Sequence, residues 1–360
     1  MNIFKSMDSL GFRHGLLWGG RLLKLPLRFL HRILLPGRFG RQLKMSRGTC
    51  ILSRNIKVGD NLTIGRNSEI IADSLEIGNN VYVGDNVKIQ CKKVILKDNC
   101  RVDSRTVISG TRTPNSLFNL GVNSHIYSDC VINTDEAVII GDRTAAGGHC
   151  LIFTHGSYLP KTHGYPVAIK PVKIGDDTWL PWHAFILPGV IIGKGATVGA
   201  FSLVAGNVPD YSLAVGVPAR IIKDKDSYRR KYNDSDMEKL CVDIIDNIVN
   251  SIVFSFKRRM LFITNNRSVK RVSKKEWKIN EKNIEYTIIY TGKEEFAEKK
   301  SDNKNIFVFS SGLFDNPLPG YIWADLVSFK SENLPSSGVF SELWKELSLY
   351  GIRLHWWMDK

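Results

Sequence analysis

Aliphatic residues recur every six positions through the middle of the chain. The clearest run is Ile174, Leu180, Ile186, Ile192, Val198 and Val204. Leu52, Val58, Ile64 and Ile70 keep the same step, as do Ile77, Val83, Ile89 and Ile95. Leu96, Val102 and Ile108 restart it one residue later, and Ile126 and Ile132 resume it after an interruption over 109–125. Glycine follows the aliphatic residue at 59, 65, 78, 84, 141, 175 and 193. Six is not a helical period, because 3.6 residues per turn would carry these side chains around the helix. It is also too long for one flat strand, whose side chains alternate every two residues. A coil of short strands joined by tight corners accounts for it, with one inward aliphatic residue per strand and each coil buried by stacking on the next.

The pattern changes at both ends. Residues 16–35 read LLWGGRLLKLPLRFLHRILL, with Arg21, Lys24, Arg28 and Arg32 at three- and four-residue steps and apolar residues elsewhere. This spacing predicts a basic amphipathic helix, broken or kinked at Pro26. With Trp18 and Phe29 it suits an anionic membrane surface; the alternative is a helix packed across the end of the next domain. Beyond Lys223 the six-residue step disappears. Leu240, Ile244, Ile245, Ile248, Ile252 and Val253 predict an amphipathic helix over 235–256, with Ser235 and Glu238 as its capping box. Strands are expected at 283–290 and 305–309, and a helix at 340–349. The expected organisation is a basic arm (1–48), a β-helix (49–223) and a small α/β domain (224–360).

Charge sharpens this division. The chain carries 50 Lys and Arg against 35 Asp and Glu, a net +15. Residues 1–48 hold 10 of those bases and one acid, whereas 49–220 hold 16 against 14. A nucleic-acid binder would need basic residues interleaved with aromatics on the folded body, so that class is set aside. At 43% hydrophobic the chain can bury a core, and it has no uncharged apolar run long enough to span a membrane. The six cysteines show neither CxxC nor CxxH spacing, which argues against a disulfide framework or a zinc site and fits a reducing cytoplasm.

The stretch Val172–Lys223 (VKIGDDTWLPWHAFILPGVIIGKGATVGAFSLVAGNVPDYSLAVGVPARIIK) carries a resemblance. Its Ile174-Gly175-Asp176, Pro188-Gly189-Val190, Ile192-Gly193 and Gly216-Val217-Pro218-Ala219 resemble the closing coils of the maltose/galactoside O-acetyltransferase group of hexapeptide-repeat acyltransferases. The resemblance is specific over 138–223, extends in outline over 37–223, and is absent from the C-terminal third. It implies a mainly β protein built on a left-handed parallel β-helix that forms homotrimers with active sites between subunits. It also implies acetyl transfer from acetyl-CoA to a hydroxyl or amine; separately, no His, Asp or Glu spacing in the sequence suggests a metal site.

Such transfer needs a base, because an alcohol is a poor nucleophile until its proton is removed as it attacks. Histidine suits that task near neutral pH. His155, in Leu151-Ile152-Phe153-Thr154-His155-Gly156, precedes a loop (156–171) and matches the position of the family's catalytic histidine. Asp135 and Glu136 could orient it, or could form a solvated corner. By position in the family, Trp182, Ala200, Ala205 and Gly206 would contact acetyl-CoA. The family's usual Thr-Lys-Asp reads Ala205-Gly206-Asn207 here, so Arg220 or Lys223 would have to meet the cofactor's phosphates. Asp129 matches a polar position that holds the acceptor sugar, and His149 and His163 are further acceptor-site candidates. Coil geometry alone is the alternative reading for Ala200 and Gly206.

The expected function is O-acetylation of a sugar of a bacterial surface polysaccharide (capsule or O-antigen), or of its lipid-linked precursor, at the inner face of the cytoplasmic membrane. N-acetylation of a nucleotide-linked amino sugar and a catalytically silent scaffold remain the alternatives. If the arm binds anionic lipid, deleting residues 1–36 moves the protein from the membrane to the soluble fraction and leaves acetyl-CoA chemistry intact. Unchanged partitioning would show that the arm only packs.

Overall fold

The computed structural model describes residues 16–19, 37–110, 113–259, 268–281, 284–291, 306–310, 322–326, 331–332, 343 and 346–347. The chain divides into two compact units, Met1–Arg230 and Lys231–Lys360.

The first unit is a parallel β-helix with three faces. Face A runs through Lys88–Gln90, Val107–Ser109, Val131–Asn133, Leu151–Ile152, Phe185–Ile186 and Leu203–Val204. Face B runs through Lys93–Leu96, Leu117–Leu120, Val138–Ile140, Val172–Ile174 and Ile191–Ile192. Face C runs through Thr63–Ile64, Tyr82–Val83, Arg101–Val102, His125–Ile126, Ala145–Ala146, Trp179–Leu180, Thr197–Val198 and Leu213–Gly216. The long strands Thr49–Val58 and Glu69–Ile77 bend from face A into face B. Hydrogen bonds join each strand to the same face of the next coil, so the axis is held by stacked parallel ladders.

The core is the column of inward aliphatic side chains, among them Ile64, Val83, Ile89, Val102, Ile126, Ile152, Leu180 and Val198, all nearly or fully buried. Two expected core positions are corrected: Ile51 and Leu96 are the buried residues, while Leu52 and Ile95 point outward. The early coils advance 19 residues, as in the Asn61–Asn80 and Asn80–Asn99 ladders. The extra residue lies at the A–B corner, where the inward step goes from Ile51 to Val58, from Ile70 to Ile77 and from Ile89 to Leu96. Hence the restart of the six-residue step by one residue.

Corner columns hold small residues that fill space and bond to the coil beyond. Thr49 and Ser68 donate their hydroxyls to the carbonyls of Gly65 and Gly84, each at 2.7 Å. Cys130 and Cys150 occupy the same column, their thiols 3.1 and 3.0 Å from the carbonyls of Gly147 and Pro181. These cysteines are corner fillers, and none of the six forms a disulfide. Their mutual hydrogen bond and burial push the Cys130 thiol upward in pKa.

Leu16–Gly19 is a strand antiparallel to the start of Thr49–Val58, which corrects the helix expected from residue 16. At its face B end Thr49–Val58 pairs parallel with Gly37–Phe39, and at its face A end Leu16–Gly19 occupies the otherwise open backbone edge. Arg21, Lys24, Arg28 and Arg32 lie outside the described residues, as do His14, His31, His355, Trp356 and Trp357.

The second unit is a six-stranded mixed sheet with a helix. Ser268–Ser273, Glu276–Glu281 and Ile284–Thr291 form an antiparallel meander, and Ile306–Ser310 and Ile322–Asp325 continue it in parallel. The helix Asp234–Arg259 buries Ile244, Ile245, Ile248 and Val249 in a cluster with Trp277, Ile279, Ile288, Tyr290, Phe307 and Phe309. The Trp277 indole N–H donates to Asp246 at 2.7 Å and ties helix to sheet. The helix starts earlier than its expected capping box: Asn233 accepts the Asp236 amide at 2.7 Å, and Glu238 pairs with Lys275. Of the helix expected over 340–349, residues 343, 346 and 347 are described, and they are helical.

Because Ile89 is fully buried between coils, Ile89→Ala leaves a cavity the ladders cannot close. It should cost about 2–4 kcal/mol in denaturant unfolding. A loss under about 0.5 kcal/mol would mean that the coils repack freely.

Candidate active site

Two excursions leave the β-helix, and both leave from the A–B corner. One lengthens a coil to 24 residues around 110–116, seen in the Arg105–Asp129 pair. The other lengthens a coil to 34 residues, seen in the Asp142–Asp176 pair. This second excursion is the loop expected after His155. Its ends, His155–Gly156 and Ala168–Ile169, pair antiparallel, and a single helical turn, Lys161–His163, lies between them.

His155 stands where that loop leaves the coil. Its Nδ1 is 3.4 Å from Oδ2 of Asp135, whose side chain is only 6% exposed against 36% for the histidine. Asn133 holds the carboxylate from below, its amide N–H reaching Asp135 Oδ2 at 3.2 Å. The same amide's oxygen accepts the Thr154 hydroxyl at 2.7 Å, and Thr154 Oγ1 accepts the Glu136 N–H at 3.0 Å. The shorter excursion supports this network: the Thr113 hydroxyl donates to the Asp135 carbonyl, and Asn115 donates to Glu136 at 3.1 Å. Sequence reasoning missed Asn133 and Thr154. They are 21 residues apart, and only the coil length could have paired them.

Along the same corner, a Cβ built on Gly156 would lie 3.5 Å from the Pro188 ring. One coil further on are Ala205 and Gly206, both exposed. A Cβ at Gly206 would meet nothing within 4 Å, and its φ is not in the left-handed region. The coil therefore does not need glycine there, and the missing side chain leaves the backbone open to a ligand.

Asp129, His149, Trp182 and Ala200 sit at the C–A corner. Arg105, Asp129, His149, His183 and Phe201 follow one another up this corner, each with φ between 57° and 64°. Asn67 and Asn86 fill the same position in earlier coils, as suits a left-handed backbone. Arg105 donates two hydrogen bonds to Asp129, each 2.7 Å, and this hydrogen bonding holds the Asp129 carboxyl below its usual range. His149 Nε2 lies 3.9 Å from Asp129; its ring stacks on His183 at 4.9 Å, and His183 stacks on Phe201 at 4.5 Å. Trp182 adjoins this ladder, its ring across Gly148, with Ala200 one coil beyond. Arg220 and Lys223 lie exposed on Ala219–Lys223, which folds back antiparallel on the last face C strand. His163 is exposed within the loop.

The A–B and C–A corners are separated by a whole face. From His183 to Gly189 the chain crosses it in six residues, at most about 20 Å of extended backbone. Within one chain, His155 and the Asp129–His149–Trp182 group therefore lie at opposite edges of face A. Among the described residues, no group of three or more His, Cys, Asp and Glu side chains could hold a metal ion. No helix among them is long and apolar enough to cross a membrane.

One further pair lies on the outer side of face C. His125 Nε2 is 2.8 Å from Asp103, which also accepts from Arg101 at 2.5 Å. Burial raises the Asp103 carboxyl, but His125 and Arg101 outweigh it and hold it low. A carboxylate with a depressed pKa stabilises the fold fully above its unfolded value, about pH 4, and loses that contribution as pH falls through the folded value. Asp103→Asn should therefore lower the melting temperature at pH 7 more than at pH 3. Equal losses at both would mean that the pair adds nothing ionic.

No protein-family model matches the chain. A probable acetyltransferase of Mycobacterium tuberculosis is 40% identical over 103 residues, covering 27% of this chain and 34% of that protein. A putative lipopolysaccharide biosynthesis O-acetyl transferase of Escherichia coli is 36% identical over 119 residues, covering 29% of this chain and 57% of that protein. The chain thus spans about a third to somewhat over half of these relatives. The crystal structure of a maltose O-acetyltransferase from Clostridium difficile is 27% identical, covers 41% of this chain and 70% of that one, and superposes with a TM-score of 0.29, too loosely to bear on the site. The six-residue repeat and the three-faced coil agree with the fold expected from the resemblance to hexapeptide-repeat acetyltransferases, and part of the β-helix is similar in sequence to these two proteins.

Proposed function

We propose that the protein transfers acetyl from acetyl-CoA to a sugar hydroxyl of a surface polysaccharide or its lipid-linked precursor, with His155 as the base. The observation that carries this reading is the buried Asp135 carboxylate facing His155 Nδ1 at 3.4 Å, on the same corner column as the open backbone of Gly206 two coils further on. With Nδ1–H directed at Asp135, Nε2 is the nitrogen left to take a proton. As the acceptor oxygen attacks the thioester carbonyl, its proton passes to Nε2. The tetrahedral intermediate then collapses, the carbon–sulfur bond breaks, and the leaving thiolate takes the proton from the imidazolium. Asp135 stabilises the cationic ring while it exists. In the resting chain the Nδ1 contact is long, and it would tighten when substrates bind.

The cofactor would lie along the A–B corner past Pro188, Ala205 and Gly206, where no bulky side chain blocks the backbone. Arg220 or Lys223 would meet its phosphates. The acceptor candidates Asp129 and His149 and the cofactor candidates Trp182 and Ala200 are a full face away from His155, which favours sites shared between copies: His155 from one, and these four from its neighbour in a homotrimer.

The test follows free coenzyme A and glycan mass when the protein, acetyl-CoA and the cell's own de-O-acetylated surface polysaccharide are mixed. One acetyl per repeat unit is expected. His155→Ala should lower kcat by about 10²–10⁴-fold. Asp135→Asn should lower kcat less and leave the KM for acetyl-CoA unchanged. Normal turnover by His155→Ala would remove it as the base, and transfer to a free amino sugar instead would move the reaction to nitrogen.

A further inference from the structure

The outward positions of face C change character partway along the axis. In the first coils they are Lys44 and Thr63, and near the end they are Thr197 and Leu213. Between them, in direct register, come Tyr82, Arg101, His125, Ala145 and Trp179. The Arg101 guanidinium lies over the Tyr82 ring at 4.3 Å. His125 stacks on Tyr127 at 3.8 Å, and Tyr127 meets Trp179 and Trp182 edge-on at 6.3 and 5.8 Å. These rings line one continuous outer strip. Ala145, Gly147 and Gly148 keep it low in the middle, where a Cβ on Gly147 would come within 2.8 Å of the Trp182 backbone.

The strip opens toward its Trp179 end, while Tyr82 at the other end is half-buried. His125 is 8% exposed and locked to Asp103, whereas Trp179 and Trp182 remain 37% and 45% exposed. Aromatic faces beside a few fixed polar groups suit a ligand with apolar and hydroxyl-bearing sides, as a sugar ring has. The strip is not a pocket. Coils repeat at about 4.8 Å, so from Tyr82 to Trp179 it extends about 19 Å, several sugars and not one.

We propose that this strip holds an acceptor glycan several sugars long, laid parallel to the β-helix axis, so that the enzyme acts on oligomeric or polymeric chains in preference to single units. The inference rests on the glycan acetyltransferase reading above. It adds acceptor length as a specificity determinant and places Tyr82 and Trp179 away from the reaction itself.

The probe is the cell's surface polysaccharide, freed of acetyl groups by mild base and fractionated into single repeat units and longer fragments. Binding is measured by titration calorimetry and transfer by coenzyme A release. Long fragments should bind at least about tenfold more tightly than single units. Tyr82→Ala and Trp179→Ala should erase that difference, raising KM for long fragments while leaving transfer to single units and the KM for acetyl-CoA unchanged. Length-independent binding by the native protein, or native length dependence in both variants, overturns the proposal. So does loss of the oligomer in either variant by sedimentation, because the strip is then covered by a second copy. Length-dependent binding without transfer sustains the strip and defeats the acetyltransferase reading. Transfer at one rate to every length does the reverse.

Discussion

Each strand of the β-helix is two to four residues long in most coils and finds its hydrogen-bond partners only in the coils above and below. A segment that short has no stability alone. Stacking supplies both the backbone bonds and the burial of the single inward aliphatic residue, so each coil depends on its neighbours. The same constraint turns sequence spacing into geometry. Residues one coil apart become neighbours at the strand spacing, and side chains sort into columns.

Columns explain how a narrow, regular fold carries chemistry. Inward columns admit aliphatic residues, and corner columns need a small residue or a left-handed backbone. Only the outer corners can release extra chain without breaking a ladder. Here both excursions use the A–B corner, and they converge on Asp135 and Glu136, the first of which faces His155. The shorter one brings Thr113 and Asn115 to Asp135 and Glu136, while the longer one begins at His155 itself. Asp129, His149, Trp182 and Ala200 follow the C–A corner a face away, which is why a shared site is the reading that unites them with His155.

Much of this was legible from the residues. The six-residue step exposed the coil because inward positions tolerate little but aliphatic side chains. The one-residue error at Leu52 and Ile95 arose because both have aliphatic neighbours, Ile51 and Leu96, and composition cannot tell which of two adjacent residues points inward. His155 was visible through its motif and the loop after it. Asp135 stood beside a solvated-corner alternative, since a partner 20 residues away is fixed only by coil length. Asn133 and Thr154 gave no local signal. The strand at Leu16–Gly19 escaped because a run of leucines suits a helix equally well, and the open edge it pairs with exists only after the first coil has formed. For Gly206, only the empty space around its Cα separated ligand access from coil geometry.

The proposed reaction site joins the A–B corner of one copy to the C–A corner of another. It is tested by complementation, with His155→Ala and Trp182→Ala proteins each assayed alone, then unfolded together, refolded and assayed as mixed oligomers. Two nearly inactive preparations should regain acetyl transfer on mixing, through sites that pair an intact His155 with an intact Trp182. Mixed oligomers that form but stay as inactive as their parents would contradict it, and would place the whole reaction within a single chain.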